Sequence, residues 1–247
     1  MRRLGVIGCG RIALPVLEAV QAGHLPDWTV CGVLAREARP VGPPGFIRSV
    51  NDIDSFLAGV PDLIVEAAGP QALAAHGARA LAAANVWTVS GAALADARLH
   101  ADLESACRRS GHRLRLVSGA MAGIDGVAMA CVDPQATLHI QVDLPPGEAD
   151  GGSLFSGTVR DGAARFPDGV NVAVAAALAG PGLDAAWLDV SRPGSRHRLA
   201  LQADSSHAEV RAEVEIRAAR SASALHPVAA CLIACLARET RPIWVGE

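Results

Sequence analysis

Leu4-Gly5-Val6-Ile7-Gly8-Cys9-Gly10-Arg11-Ile12-Ala13 is a short apolar run that stops on a glycine and reopens into residues spaced for a helix. Beyond Arg11, the apolar positions Ile12, Val16, Leu17 and Val20 recur on one helical face. The local order is strand, glycine turn, helix. In that setting Gly8 to Ala13 fits the GxGxxA pattern, in which bare glycines let a pyrophosphate reach the backbone and the helix N-terminus faces its charge. Gly8, Gly10, Arg11 and Ile12 are therefore the first candidates for binding a dinucleotide.

The same rhythm continues outward. Trp28 to Leu34, Leu63 to Val65 and Val86 to Val89 read as further strands, with helices over Asp52 to Leu57, Gln71 to Ala84 and Leu94 to Arg109. Strands alternating with helices imply an α/β unit, a Rossmann doubly wound parallel sheet over residues 1–117. After Leu114 to Val117 the pattern changes. Thr137 to Val142, Ala186 to Val190, His197 to Leu201 and Glu209 to Ile216 alternate apolar with polar residues, the mark of a sheet with one covered face. Residues 118–218 are thus expected to form a second α+β domain on a largely antiparallel sheet. A last helix, from Ala224 to about Arg238, is apolar on nearly all sides, so the segment 219–247 is expected to pack back on the first domain. The loops Glu37 to Gly45 and Pro145 to Gly152 read as breaks within domains.

Composition narrows the chemistry. The 247 residues are 51% hydrophobic and 19% charged, enough apolar surface to fold. Net charge is −3 and the basic residues are scattered, so neither a nucleic-acid partner nor a membrane surface is expected. All 22 basic residues are arginine, which removes Schiff-base lysine chemistry and a P-loop lysine. No secretory leader is read at Met1-Arg2-Arg3, so the expected location is cytoplasmic. The six cysteines show no metal-ligand spacing and are read as reduced, mostly buried thiols, and no metal site is expected.

Cofactor choice turns on the end of the second strand. An acid there would bind the ribose hydroxyls of NAD, yet the chain reads Ala35-Arg36-Glu37. Arg36 suits the 2′-phosphate of NADP through paired charged hydrogen bonds, so NADP is preferred. Glu37 is the competing reading and would favour NAD. Ala67, Ala68 and Gly69 close the third strand with small residues that either form a plain strand-to-helix loop or admit a flat ring, which would place them on the nicotinamide side. Glu66 reads equally as a helix-start charge or a functional acid.

A set of segments in order then resembles the L-aspartate dehydrogenase family. They are the glycine turn, Glu66-Ala67-Ala68-Gly69, Val89-Ser90-Gly91-Ala92-Ala93-Leu94-Ala95-Asp96, Ser118-Gly119-Ala120, Phe166-Pro167-Asp168-Gly169-Val170-Asn171-Val172-Ala173 and a later histidine. The resemblance implies NAD(P)-dependent oxidative deamination of L-aspartate to iminosuccinate, which water converts to oxaloacetate and ammonia, or supply of the imine towards NAD synthesis. It implies a backbone cofactor contact at Ala120, a polar cofactor contact at Asn171 and an acid/base role for His197. Ser118 and Gly119 are expected at the substrate.

Two departures stand out. Before His197 the chain reads Arg192-Pro193-Gly194-Ser195-Arg196, with Arg192 where the family has Asp and Ser195 where it has Asn; Gly169 likewise replaces an asparagine. A dicarboxylate needs cations, and Arg160, Arg165, Arg192, Arg196 and Arg198 are available, with Arg160 and Arg196 the substrate candidates. Arginines flanking His197 are expected to keep it neutral by like-charge repulsion. A dehydrogenase of another small amino or imino acid, and a non-catalytic NADP-binding regulator, stay open as alternatives. The flat second sheet is expected to pair with a copy of itself as a homodimer.

Overall fold

A computed structural model describes residues 1–42, 46–145, 152–194, 197–217 and 224–243. The chain divides into two compact units, one joining Met1–Val117 to the helix beyond Leu225, the other beginning at Ser118 and ending at Ala224.

The first unit runs β1 (Arg2–Ile7), α1 (Ala13–Gln21), β2 (Trp28–Leu34), β3 (Pro40–Val41), β4 (Ile47–Arg48), α2 (Ile53–Leu57), β5 (Leu63–Glu66), α3 (Pro70–Ala83), β6 (Asn85–Thr88), α4 (Ala97–Ser110) and β7 (Leu114–Leu116). Five strands form one sheet in the order β2-β1-β5-β6-β7, every pairing parallel. Leu4, Val6, Ile64 and Val65 are wholly buried, as continuous apolar strands covered on both faces require. The chain winds one way from β1 to β2 and the other from β5 to β7. The topological switch therefore lies between β1 and β5, where ligands of such sheets bind.

Local chemistry sets the helix starts. The Asp52 carboxylate accepts the Ser55 N–H at 2.7 Å ahead of α2. Asp96 accepts the N–H groups of Arg98 and Leu99 at 2.8 and 3.1 Å, so α4 begins there, and the segment from Leu94 expected to be helical is first a 3₁₀ turn over Gly91–Ala95. The loop read as a plain break from Glu37 holds the short β3–β4 hairpin. Its last residues, 43–45, lie outside the described ones.

A final helix, α8 (Pro227–Glu239), completes the first unit. It packs beside α1, and the Trp28 indole donates to the Leu236 carbonyl at 2.9 Å. The Arg2 guanidinium lies over the Trp28 ring at 4.6 Å and reaches Glu239 at 3.0 Å. Burial follows one stripe, Ala229, Leu232, Cys235 and Leu236, rather than all faces. The flanking positions 218–223 and 244–247 lie outside the described residues. None of the six cysteines is in a disulfide, and only Cys235 is buried, fewer than the sequence suggests.

The second unit runs α5 (Ile124–Ala130), β8 (Thr137–Asp143), β9 (Gly152–Thr158), α6 (Val159–Arg165), α7 (Asn171–Ala179), β10 (Trp187–Arg192), β11 (His197–Asp204) and β12 (Glu209–Ile216). The strand order is β12-β11-β8-β10-β9, antiparallel except for β8 with β10. Helices α5, α6 and α7 pack on this sheet, and Leu138, Ile140, Val142, Leu188, Val190, Leu199 and Leu201 are buried beneath them. The opposite face carries His139, Gln141, Asp189 and Gln202. The loop expected from Pro145 has residues 146–151 outside the described ones.

Candidate active site

The glycine turn sits at the switch between β1 and β5. Gly8 donates its N–H to the Leu34 carbonyl at 2.8 Å, and Ala67 donates to the Ile7 carbonyl at 2.9 Å, tying the ends of β2, β1 and β5 together. Gly8 has φ +115°, and a β carbon there would stand 2.9 Å from the Ala67 carbonyl oxygen. Only glycine fits. At Gly10 a β carbon would meet nothing within 4 Å, so that residue leaves open surface where a ligand can approach the protein backbone. Arg11 is exposed, and Ile12 precedes the first turn of α1. Gly8, Ala67, Ala68 and Gly69 are thus brought together, with Gly69 at φ +110° opening α3.

A buried carboxylate holds this arrangement. Glu66 Oε1 accepts the N–H groups of Ala68 and Gly69 at 2.7 and 2.9 Å, while Oε2 accepts the Thr88 hydroxyl at 2.5 Å. Thr88 Oγ1 in turn accepts the Ser90 N–H at 3.0 Å. Glu66 and Thr88 are both fully buried. A carboxylate needs such donors when removed from water, so Glu66 positions the Ala67-Ala68-Gly69 turn and does not act as a surface helix charge.

Arg36 lies exposed beyond β2. The sequence reading missed Arg39. Its Nη2 lies 3.2 Å from Cys9 Sγ, beside the glycine turn, and the Cys9 sulfur helps raise the Arg39 pKa further. Its backbone N–H donates to buried Ser49 Oγ at 3.0 Å, and that hydroxyl lies 2.9 Å from the Glu37 carbonyl. The hairpin and Ser49 return the chain to the turn; an arginine on a Pro/Gly-rich loop gave no sequence signal.

In the second unit, Ser118, Gly119 and Ala120 form a turn closed by the Met121 N–H on the Ser118 carbonyl at 3.1 Å, with Gly119 at φ +65°. Asn171 begins α7, after a turn in which a β carbon on Gly169 would lie 3.0 Å from Leu144 Cδ2. Leu144 directly follows β8. Asp125 lies exposed in the first turn of α5, whose cap residue is Gly123.

His197 opens β11 and is half-buried. Its pKa is lowered from 6.5 by burial, and the Asp143 charge pulls the other way. The direction matches the expectation with burial as its largest cause, and Arg198 is turned to the opposite face and engaged. Arg198 Nε donates to Asp143 Oδ2 at 2.8 Å and Nη1 to Glu213 Oε2 at 3.1 Å, and Ser191 donates to Asp143 Oδ1 at 2.5 Å. Asp143 was not singled out in the sequence, since its partners lie on β10, β11 and β12. Arg160 makes a two-pronged pair with Asp184 at 2.6 and 2.8 Å, and Arg165 lies over the Phe166 ring at 5.6 Å. Ser195 and Arg196 lie outside the described residues.

Comparison with known proteins bears on both units. Residues 8–117 match the family described as homoserine dehydrogenase, NAD binding domain, and residues 116–239 match aspartate dehydrogenase, C-terminal. L-aspartate dehydrogenase 1 of Bordetella pertussis is 37% identical over 204 residues, 74% of this chain and 73% of that one. The L-aspartate dehydrogenase of Ruegeria pomeroyi is 35% identical over 233 residues, 86% and 83% of the two chains. The crystal structure of aspartate dehydrogenase from Thermotoga maritima shares the fold, with a TM-score of 0.81 over 100% of both chains at 19% identity. The first unit is therefore a nicotinamide dinucleotide domain, the parallel sheet and glycine turn being what that match requires. By these matches across both units, the chain belongs to the L-aspartate dehydrogenase family.

Proposed function

We propose that the protein oxidises L-aspartate to iminosuccinate with NADP, water then releasing oxaloacetate and ammonia, or runs the reverse. The observation that carries this reading is family membership through both the cofactor unit and the second unit. A bound nicotinamide supplies the hydride acceptor for the substrate Cα–H. The chain's own part is to hold the reactants and move protons. The residues fit such a cofactor: Gly10 leaves space for the pyrophosphate, the α1 N-terminus and Arg11 face its charge, and Ala67, Ala68 and Gly69 present small surface braced by Glu66. Ala120 and Asn171 are assigned cofactor contacts, Ser118 and Gly119 substrate contacts.

His197 is assigned the acid/base role. Burial favours its neutral form, so the imidazole can take a proton from the substrate ammonium before hydride leaves, release it to solvent, then take one from the water that attacks the imine and return it to the nitrogen that departs as ammonia. Arg36 and Arg39 favour NADP, because two guanidinium groups near the end of β2 suit a 2′-phosphate. The homodimer is assigned to the uncovered face of the second sheet, where Trp187 is 49% exposed. A panel of L-amino acids, and oxaloacetate with ammonia, run with both nicotinamide cofactors, tests the reading: aspartate-dependent NADPH formation is expected. Turnover of a different amino acid alone, or cofactor binding with no turnover, would contradict it.

A further inference from the structure

We propose that Arg192 holds a carboxylate of the substrate beside His197. The inference deepens the aspartate reading and rests on it. Strand alternation supplies the first step. On β10, Leu188 and Val190 are buried beneath the helices, while Asp189 and Ser191 face the other way and hydrogen-bond with Ser156 and Asp143. Arg192, the next residue, therefore turns to the helix-covered face. On β11, Leu199 and Leu201 are buried on that same face, which gives His197 the same orientation.

Register supplies the second step. Ser191 pairs with Asp143, Asp143 pairs with Arg198, and the Leu144 N–H donates to the Ser191 carbonyl at 2.8 Å. One residue further along each strand, Leu144 separates Arg192 from His197. The two backbones are then about 10 Å apart, twice the strand spacing. An arginine and an imidazole side chain span that distance around a four-carbon acid.

The third step is an unmet demand. Among the described residues, the buried Arg192 Nε has no hydrogen-bond partner. Native proteins leave few buried polar groups in that condition, and a guanidinium fork matches a carboxylate through two parallel bonds. Arg198, next to His197 on β11, is turned to the opposite face and already engaged by Asp143 and Glu213. Arg192 is the described cation aimed along the His197 row with its Nε unsatisfied.

The test is calorimetric titration of the enzyme with succinate in the presence of NADPH, comparing wild type with Arg192→Met and Arg192→Lys, together with thermal unfolding and the KM for L-aspartate. Succinate affinity and the aspartate KM should each worsen at least 10-fold in Arg192→Met and less in Arg192→Lys. NADPH affinity should not change, and the unfolding midpoint of Arg192→Met should equal or exceed that of wild type, because an unsatisfied buried group is removed. Unchanged succinate binding in Arg192→Met would overturn the proposal, as would a parallel loss of stability and NADPH binding, which marks a structural arginine. If wild type fails to oxidise aspartate, the reading of the reaction falls, while Arg192-dependent succinate binding still upholds the carboxylate site.

Discussion

Glu66 Oε2 accepts the hydroxyl proton of Thr88 at 2.5 Å, joining the ends of β5 and β6 within the protein interior. The other oxygen holds the Ala68 and Gly69 amides, so one carboxylate fixes the turn assigned to the nicotinamide. Glu66→Gln puts an amide donor where one acceptor stood, and Glu66→Ala leaves two backbone donors without a partner. We expect a loss of about 1–3 kcal/mol in stability for Glu66→Ala and less for Glu66→Gln, with weaker cofactor binding in both. Urea unfolding and NADPH fluorescence titration check this; an unperturbed NADPH affinity in Glu66→Ala would remove the positioning role.

Gly8 and Gly10 should separate structure from binding. Gly8→Ala places a β carbon 2.9 Å from the Ala67 carbonyl at φ +115°, and should destabilise the fold by about 1–3 kcal/mol. Gly10→Ala enters open space, so the unfolding midpoint should stay near wild type while NADPH affinity falls at least 10-fold. Normal binding by a folded Gly10→Ala would displace the pyrophosphate from this turn.

For cofactor choice, Arg36→Ala and Arg39→Ala should raise the KM for NADPH about 10-fold each and leave that for NADH nearly unchanged, since a charged hydrogen bond to phosphate is worth about 1.5–3 kcal/mol. Steady-state assays with both cofactors decide it. Equal effects on the two would mean that these arginines do not read the 2′-phosphate.

The parts legible in the sequence were those written in neighbouring residues. Glycine spacing and strand-helix alternation located the β1 turn, and period-two alternation located β8, β10, β11 and β12. What escaped depends on distance or on a missing period. Glu66 looked ambiguous because Thr88 lies 22 positions away. Asp143 gains its meaning from Ser191 and Arg198, 48 and 55 positions away. Helix α7 is buried over Ala173 to Ala177 without a polar face, so it carries no helical period, and β9 is a Gly/Ser-rich strand. The parallel pairing of β8 with β10 follows from β9 lying at the sheet edge, which alternation alone does not encode.

Burial lowers the His197 pKa from 6.5, against the pull of Asp143. Since the folded value lies below the unfolded one, the folded state binds fewer protons. Its stability is therefore unaffected above about pH 6.5 and declines as pH falls through the window beneath it. The acid limb of kcat/KM for L-aspartate should likewise lie below pH 6.5. A pH-rate profile with its acid limb above that value would reverse the sign of the argument.

The most direct measurement is aspartate-dependent NADPH formation by wild type and His197→Asn, with folding and NADPH affinity recorded on the same samples. The expected result is turnover in wild type and a loss of about 10²–10⁴-fold in kcat for the variant, with stability and cofactor affinity retained. A folded His197→Asn that turns over at the wild-type rate would contradict the account.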